Sequence, residues 1–106
     1  MSDKGISDMA AAGVIPIVLP GATVFLGKGH GYAPMRKLLD SGCRLAVATD
    51  SNPGSSVHQS IPQMMQLCMA NGGITLDEAL LAGTYNPAIS LDLEGTVGTL
   101  QVSFSL

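Results

Sequence analysis

Leu45-Ala46-Val47-Ala48-Thr49-Asp50-Ser51-Asn52-Pro53-Gly54-Ser55-Ser56 is a short apolar run that ends abruptly in an acid, an amide, a proline and a glycine. Buried strands of parallel sheets read as near-continuous apolar runs, because helices cover both of their faces. A carboxylate at the C-terminal end of such a strand, here Asp50, stands where α/β barrels and open α/β sheets gather their reactive groups. Asp, Asn, Pro, Gly and Ser also favour turns for purely local reasons, so a plain turn opening at Asp50 is the competing reading.

Upstream, residues 3–12 carry a helical pattern, and Gly13 suits a left-handed stop. Residues 14–19 form another apolar run, read as a strand in which Pro16 is awkward because a central strand needs every backbone donor. Residues 20–31, with glycines at 21, 27, 29 and 31, read as a loop. Pro34 suits the first turn of a helix with Met35, Leu38 and Leu39 as its apolar stripe and Gly42 at its end. Residues 44–49 are the second strand.

Downstream of the quoted stretch, a helix is expected from about Ser60, with Pro62 in its first turn. Val57, Ile61, Met64 or Met65, and Cys68 fall on one face at helical spacing, a pattern that reads as core packing rather than a cofactor site. Gly72-Gly73 break that helix. Thr75-Leu76-Asp77-Glu78 is a capping box, and Asn86-Pro87 reads as a cap followed by proline at the first helical position. The order is helix, strand, helix, strand, then three helices, which argues for parallel strands joined by crossovers.

With 106 residues and 46% apolar content the chain can supply one core. A net charge of −3 and 12% charged residues leave no basic stripe, which argues against nucleic acid as a partner. Globular domains usually carry about 25% charged residues, so this composition suits a piece whose surfaces are covered by neighbouring elements. Cys43 and Cys68 lack a Cys-x-x-Cys partner and read as buried apolar residues in a reducing compartment. No secretory pattern opens the chain and no apolar run is long enough to span a bilayer, so a soluble cytoplasmic protein without a membrane partner is expected.

Ala48-Thr49-Asp50-x-Asn52-Pro53-Gly54-Ser55 resembles the last barrel strand of the imidazolonepropionases, metal-dependent amidohydrolases of histidine breakdown. Val18-Leu19-Pro20-Gly21-Ala22 is similar to the loop after that family's seventh strand. Met64-Met65-x-Leu67-Cys68 is similar to its eighth barrel helix. Thr75-x-x-Glu78-Ala79-Leu80 and Thr84-x-Asn86-x-Ala88 are similar to the two helices that follow. The resemblance implies an α/β fold: the last two βα units of a (β/α)8 TIM-type barrel plus trailing helices. It places residues 1–93 in a partial amidohydrolase barrel and residues 94–106 at the start of a C-terminal β segment. Gly98-Thr99-Leu100-Gln101-Val102 resembles the turn leading into that segment, and Ser103-Phe104-Ser105-Leu106 then departs from the family's pattern. A barrel of eight strands takes about 250 residues, so the missing N-terminal barrel portion is an expected partner.

The resemblance also implies chemistry. In that family one zinc or iron ion sits at the barrel mouth, held by a His-x-His pair, a further histidine and an aspartate ending the last strand. Asp50 matches the aspartate, as metal ligand and catalytic proton shuttle. Asn52 and Gly54 match positions that contact the product N-formimidoyl-glutamate, and Ser55 a hydroxyl position that contacts the small-molecule substrate, imidazolone-propionate. No His-x-His is present, and His30 and His58 fall where the family has no ligand, so both read as ordinary exposed histidines. The isolated chain is therefore expected to be inactive, since Asp50 alone cannot hold a catalytic metal. Two other readings stand beside this one: a fragment of another cyclic-amide amidohydrolase or deaminase, and a non-catalytic assembly module. The latter predicts self-association through uncovered strand edges.

Overall fold

Two short strands, β1 (Ile17–Val18) and β2 (Ala46–Val47), lie side by side in parallel, with Ile17 opposite Ala46 and Val18 opposite Val47. The computed structural model describes residues 1–27 and 31–102. Helices surround the strands: α1 (Asp3–Ala12), α2 (Pro20–Leu26) and α3 (Met35–Asp40) before β2, then α4 (Ile61–Gly72), α5 (Leu76–Gly83) and α6 (Tyr85–Ser90). Residues 94–102 run through turns and bends. No helix among the described residues is long and apolar enough to cross a membrane.

Local chemistry fixes several of these boundaries. The Ser2 hydroxyl accepts from the Gly5 N–H to start α1, and Gly13, at φ 71°, ends it. Ser60 caps α4 by accepting from the Gln63 N–H, while Pro62 sits where a missing donor does no harm. Thr75 and Glu78 form the reciprocal capping box of α5, each side chain bonding to the other's backbone N–H. Leu45, Ala46 and Val47 are all buried, as a strand covered on both faces requires. Met64 and Cys68 of α4, Met35 and Leu38 of α3, and Ala79 and Ala82 of α5 complete the core around it. Each large apolar side chain fully buried there contributes about 1.5–3 kcal/mol relative to its exposed state.

Four expectations require correction. The strands are shorter than the apolar runs at 14–19 and 44–49. Pro16 has no N–H to give, and only its carbonyl joins the ladder, accepting from Ala46 N at 2.9 Å. The expected loop at 20–31 contains α2, because Pro20 opens a helix at no hydrogen-bond cost and Gly27 then ends it. Val57 lies before α4 rather than on its face and is largely exposed. Asn86 is a buried residue inside α6 rather than its cap, and its Nδ2 donates to the Leu45 carbonyl at 2.8 Å.

Candidate active site

The C-terminal end of β2 carries the candidate site. Past Val47 the chain leaves the ladder after one more bond, from Ala48 N–H to the Val18 carbonyl at 3.1 Å. Asp50 then adopts φ 50°, a left-handed conformation that aspartate tolerates better than most residues with a Cβ. That turn swings the Asp50 side chain onto an exposed position at the strand's end. A positive φ at such a place is the kind of local strain that functional sites hold in place with their surroundings.

Asn52 supplies those surroundings. Its Nδ2 donates to the Asp50 carbonyl at 2.6 Å and to the Ser55 hydroxyl at 3.1 Å. Its Oδ1 accepts from the Gly54 and Ser55 backbone N–H groups, both at 2.8 Å. The main chain closes the same loop, with Asn52 N–H donating to the Ser56 carbonyl at 2.6 Å and Ser56 N–H returning to the Asn52 carbonyl at 3.3 Å. Ser56 is fully buried and donates its hydroxyl hydrogen to the Thr49 carbonyl at 2.6 Å. The loop is thus a small polar ring tied to the end of β2, and Pro53 at its tip is exposed.

The structure brings together Asp50, Asn52, Gly54 and Ser55 in that ring, but turns the polar groups of the last three towards one another. The Gly54 N–H and the Asn52 amide are already bonded inside the loop. A cavity of ≈ 340 Å³ lies against the ring, lined by Ser51, Asn52, Pro53, Val57 and Gln59. A larger groove of ≈ 680 Å³, between α5, α6 and residues 98–100, shares no residue with the ring.

Three residues important to the loop's position escape a reading of the sequence. Ser56 sits one place beyond the recognised motif, with no local signal to separate it from Ser55. Gly21, at the start of α2, packs so closely that a Cβ there would lie 2.6 Å from His58 Cδ2, 3.0 Å from Met64 Sδ and 3.1 Å from Ser56 Oγ. His58 is therefore partly buried against α2 rather than an ordinary exposed histidine. His30 lies outside the described residues.

Among the described residues no group of three or more His, Cys, Asp or Glu side chains is placed to hold a metal ion. This part of the chain offers one exposed carboxylate, Asp50, and a catalytic zinc site takes three protein ligands. The residues described here do not fit such an ion by themselves.

Residues 7–104 match the Amidohydrolase family. The imidazolonepropionase of Brevibacillus brevis is 45% identical over 101 residues, covering 95% of this chain and 23% of that protein. The imidazolonepropionase of Geobacillus kaustophilus is 43% identical over 100 residues, covering 94% of this chain and 23% of that protein. The chain thus spans about a quarter of the length of the curated relatives it matches. Among solved structures, a zinc-bound adenosine deaminase from Xanthomonas campestris superposes with a TM-score of 0.87 at 19% identity, over 98% of this chain and 25% of that one. The guanine deaminase of E. coli superposes with a TM-score of 0.78 at 18% identity, over 99% of this chain and 24% of that one. These two likenesses show the fold alone.

Proposed function

The chain belongs to the Amidohydrolase family, and from that premise we propose that it is the closing segment of an imidazolonepropionase, the last two βα units of a (β/α)8 barrel with trailing helices. The observation that carries this reading is the 45% identity to an imidazolonepropionase along 95% of the chain. The parallel pairing of β1 and β2, with Asp50 at the end of β2, agrees with it. Residues 94–102 then lead towards the family's C-terminal β segment. The complete enzyme hydrolyses 4-imidazolone-5-propanoate to N-formimidoyl-L-glutamate, in the cytoplasm.

In that reaction Asp50 accepts a proton from the attacking water, whose oxygen bonds to the ring carbonyl carbon. The ring C–N bond then breaks, and Asp50 returns the proton to the departing nitrogen. Asp50 stands exposed at the strand's end, where its carboxylate can reach the ring. Asn52, Gly54 and Ser55 take the carboxylate-bearing side of the ligand. Because their polar groups bond to one another, binding exchanges an internal hydrogen bond, such as Gly54 N–H to Asn52 Oδ1, for one to the ligand. Asp50 also serves as one ligand of a divalent ion, zinc or iron, whose other ligands come from the rest of the barrel. When bound, such an ion makes its water a stronger nucleophile near neutral pH. The chain by itself is inactive.

The test is co-expression with the segment of the Brevibacillus brevis relative that precedes the matched region, in zinc-supplemented medium. Hydrolysis of 4-imidazolone-5-propanoate by the purified pair, and its loss in Asp50→Ala, is the expected result. A stable pair that takes up zinc and leaves this substrate untouched would rule the assignment out.

A further inference from the structure

Asp50 lies between two peptide planes, and a side-chain donor holds each of them. The last ladder bond of β2 runs from Ala48 N–H to the Val18 carbonyl, so pairing with β1 stops short of Asp50. On the N-terminal side of Asp50, the Ser56 hydroxyl donates to the Thr49 carbonyl at 2.6 Å. On its C-terminal side, Asn52 Nδ2 donates to the Asp50 carbonyl, also at 2.6 Å. A peptide unit is planar, so a bond to its carbonyl restrains the whole unit, and the two soft rotations of Asp50 lie between the two units so held. Those rotations set the direction of the Asp50 Cα–Cβ bond. Asp50 stands at φ 50°, a conformation that residues with a Cβ keep only where their surroundings hold it.

The two donors differ in their access to solvent. Ser56 is 0% exposed, whereas Asn52 is half-buried and lines the cavity beside the loop. Gly21 leaves the space that the Ser56 hydroxyl needs, since a Cβ there would lie 3.1 Å from Ser56 Oγ. Water has no access to that hydroxyl, so its bond is not exchanged for one to solvent. We propose that Ser56 is a positioning residue for the reaction: through the Thr49 carbonyl it sets the left-handed turn of Asp50 and so aims the carboxylate, without touching the ligand. The inference rests on the functional reading above and adds a residue to it. In that reading the ligand opens bonds that Asn52 makes within the loop, which leaves the Ser56 bond to keep Asp50 aimed while the ligand is present. A carboxylate that takes a proton from one atom and returns it to another depends on that aim. Misplacement by about 1 Å at a reacting group costs on the order of 100-fold in rate.

NMR on the isotope-labelled chain tests this with Ser56→Ala. Ser60→Ala is the control, because it removes the cap of α4 and leaves the loop's own bonds in place. A positive φ brings a residue's own HN and Hα close together, so Asp50 gives a strong intraresidue cross-peak. The expected result is that this cross-peak weakens and the Asp50 Cα shift moves in Ser56→Ala, while neither changes in Ser60→Ala. In the pair reconstituted with the preceding segment of the Brevibacillus brevis relative, Ser56→Ala lowers kcat by on the order of 10-fold and leaves KM little changed, since no ligand contact is lost. Ser56→Cys keeps a weaker donor in the same place, and it carries the comparison if the alanine variant does not fold. An Asp50 cross-peak that stays strong in the Ser56 variants, or weakens equally in Ser60→Ala, overturns the proposal. A loss of activity carried by KM alone overturns it too. A cross-peak that weakens in Ser56→Ala, beside a wild-type pair that leaves imidazolone-propionate untouched, keeps the hold of Ser56 on Asp50 and removes the functional reading instead.

Discussion

Arg36 on α3 and Glu78 on α5 meet fork to fork, Nη1 on Oε1 and Nη2 on Oε2, both at 2.7 Å. The same guanidinium reaches Asp40 on its own helix and the Gly73 carbonyl at the end of α4. Glu78 Oε1 also accepts the Thr75 N–H at 2.8 Å, closing the capping box. One guanidinium therefore ties three helices, and the carboxylate it holds caps one of them. The Arg36 guanidinium, followed by the Thr75 N–H, holds the Glu78 carboxyl down at about 2.

This arrangement makes stability pH-dependent with a definite sign. The folded-state value lies below the unfolded one, so the contribution is complete above the ordinary glutamate value of 4.5 and is lost as pH falls towards about 2. Thermal melting of the wild-type chain should fall across that window more steeply than that of Glu78→Gln. At neutral pH, Thr75→Ala, which removes the N-cap hydroxyl, should lose about 1 kcal/mol. The ion pair adds less than its geometry suggests, because Arg36 is 41% exposed and solvent screens it. Parallel acid melting curves for the two proteins would assign the pH dependence to other groups.

Cys68 provides a change of opposite sign. Burial on α4 pushes its thiol up to about 11. The folded-state value exceeds the unfolded one, so stability is intact below the ordinary thiol value of 9.0 and declines as pH rises through about 11. At neutral pH a thiol reagent should modify Cys68 only as fast as the chain opens, with full reaction in denaturant. Rapid stoichiometric labelling of Cys68 in the folded chain would show that α4 is not packed as described.

Gly21 couples the start of α2 to the loop after β2. A methyl group there would press into His58, Met64 and Ser56, and overpacking of this kind costs about 1–3 kcal/mol. Gly21→Ala should lower the urea midpoint, and His58→Ala in the same chain should recover part of the loss by removing the nearest obstacle. The double-mutant cycle measures that recovery. Strictly additive effects would mean that the two residues do not touch.

The legible and illegible parts of the fold divide along range in sequence. Gly13, Ser60 and the Thr75–Glu78 box are local devices, readable because each acts within four residues of itself. The apolar runs around Val18 and Val47 predicted parallel strands, but the ladder is shorter than the runs, since Pro16 lacks a donor and Asp50 turns out of line. α2 was hidden by its own proline and glycines, which look like loop residues until Pro20 is placed at a helix start. The Arg36–Glu78 fork and the Asn86–Leu45 bond join residues 42 and 41 places apart, beyond the reach of any local pattern. In the candidate site, Asp50 and its neighbours were legible as a motif. The way they bond to one another was not, because a motif names residue types and leaves their partners open.

Those internal bonds make Asn52 the residue whose replacement is most informative. Its Oδ1 organises the Gly54 and Ser55 N–H groups, and its Nδ2 ties the Asp50 carbonyl back to the loop. Asn52→Ala removes both functions, while Asn52→Asp keeps the acceptor and loses the donor. The Gly54 and Ser55 amides should therefore exchange faster in Asn52→Ala and stay protected in Asn52→Asp. In both variants Asp50 loses the donor that supports its left-handed turn, so its own Cα chemical shift should move. In a reconstituted enzyme, an effect through Asp50 lowers kcat in both variants, whereas loss of a direct ligand contact raises KM. If neither amide responds to Asn52→Ala, the ring is held by the Asn52–Ser56 backbone pair alone, and Asn52 is free to face the ligand.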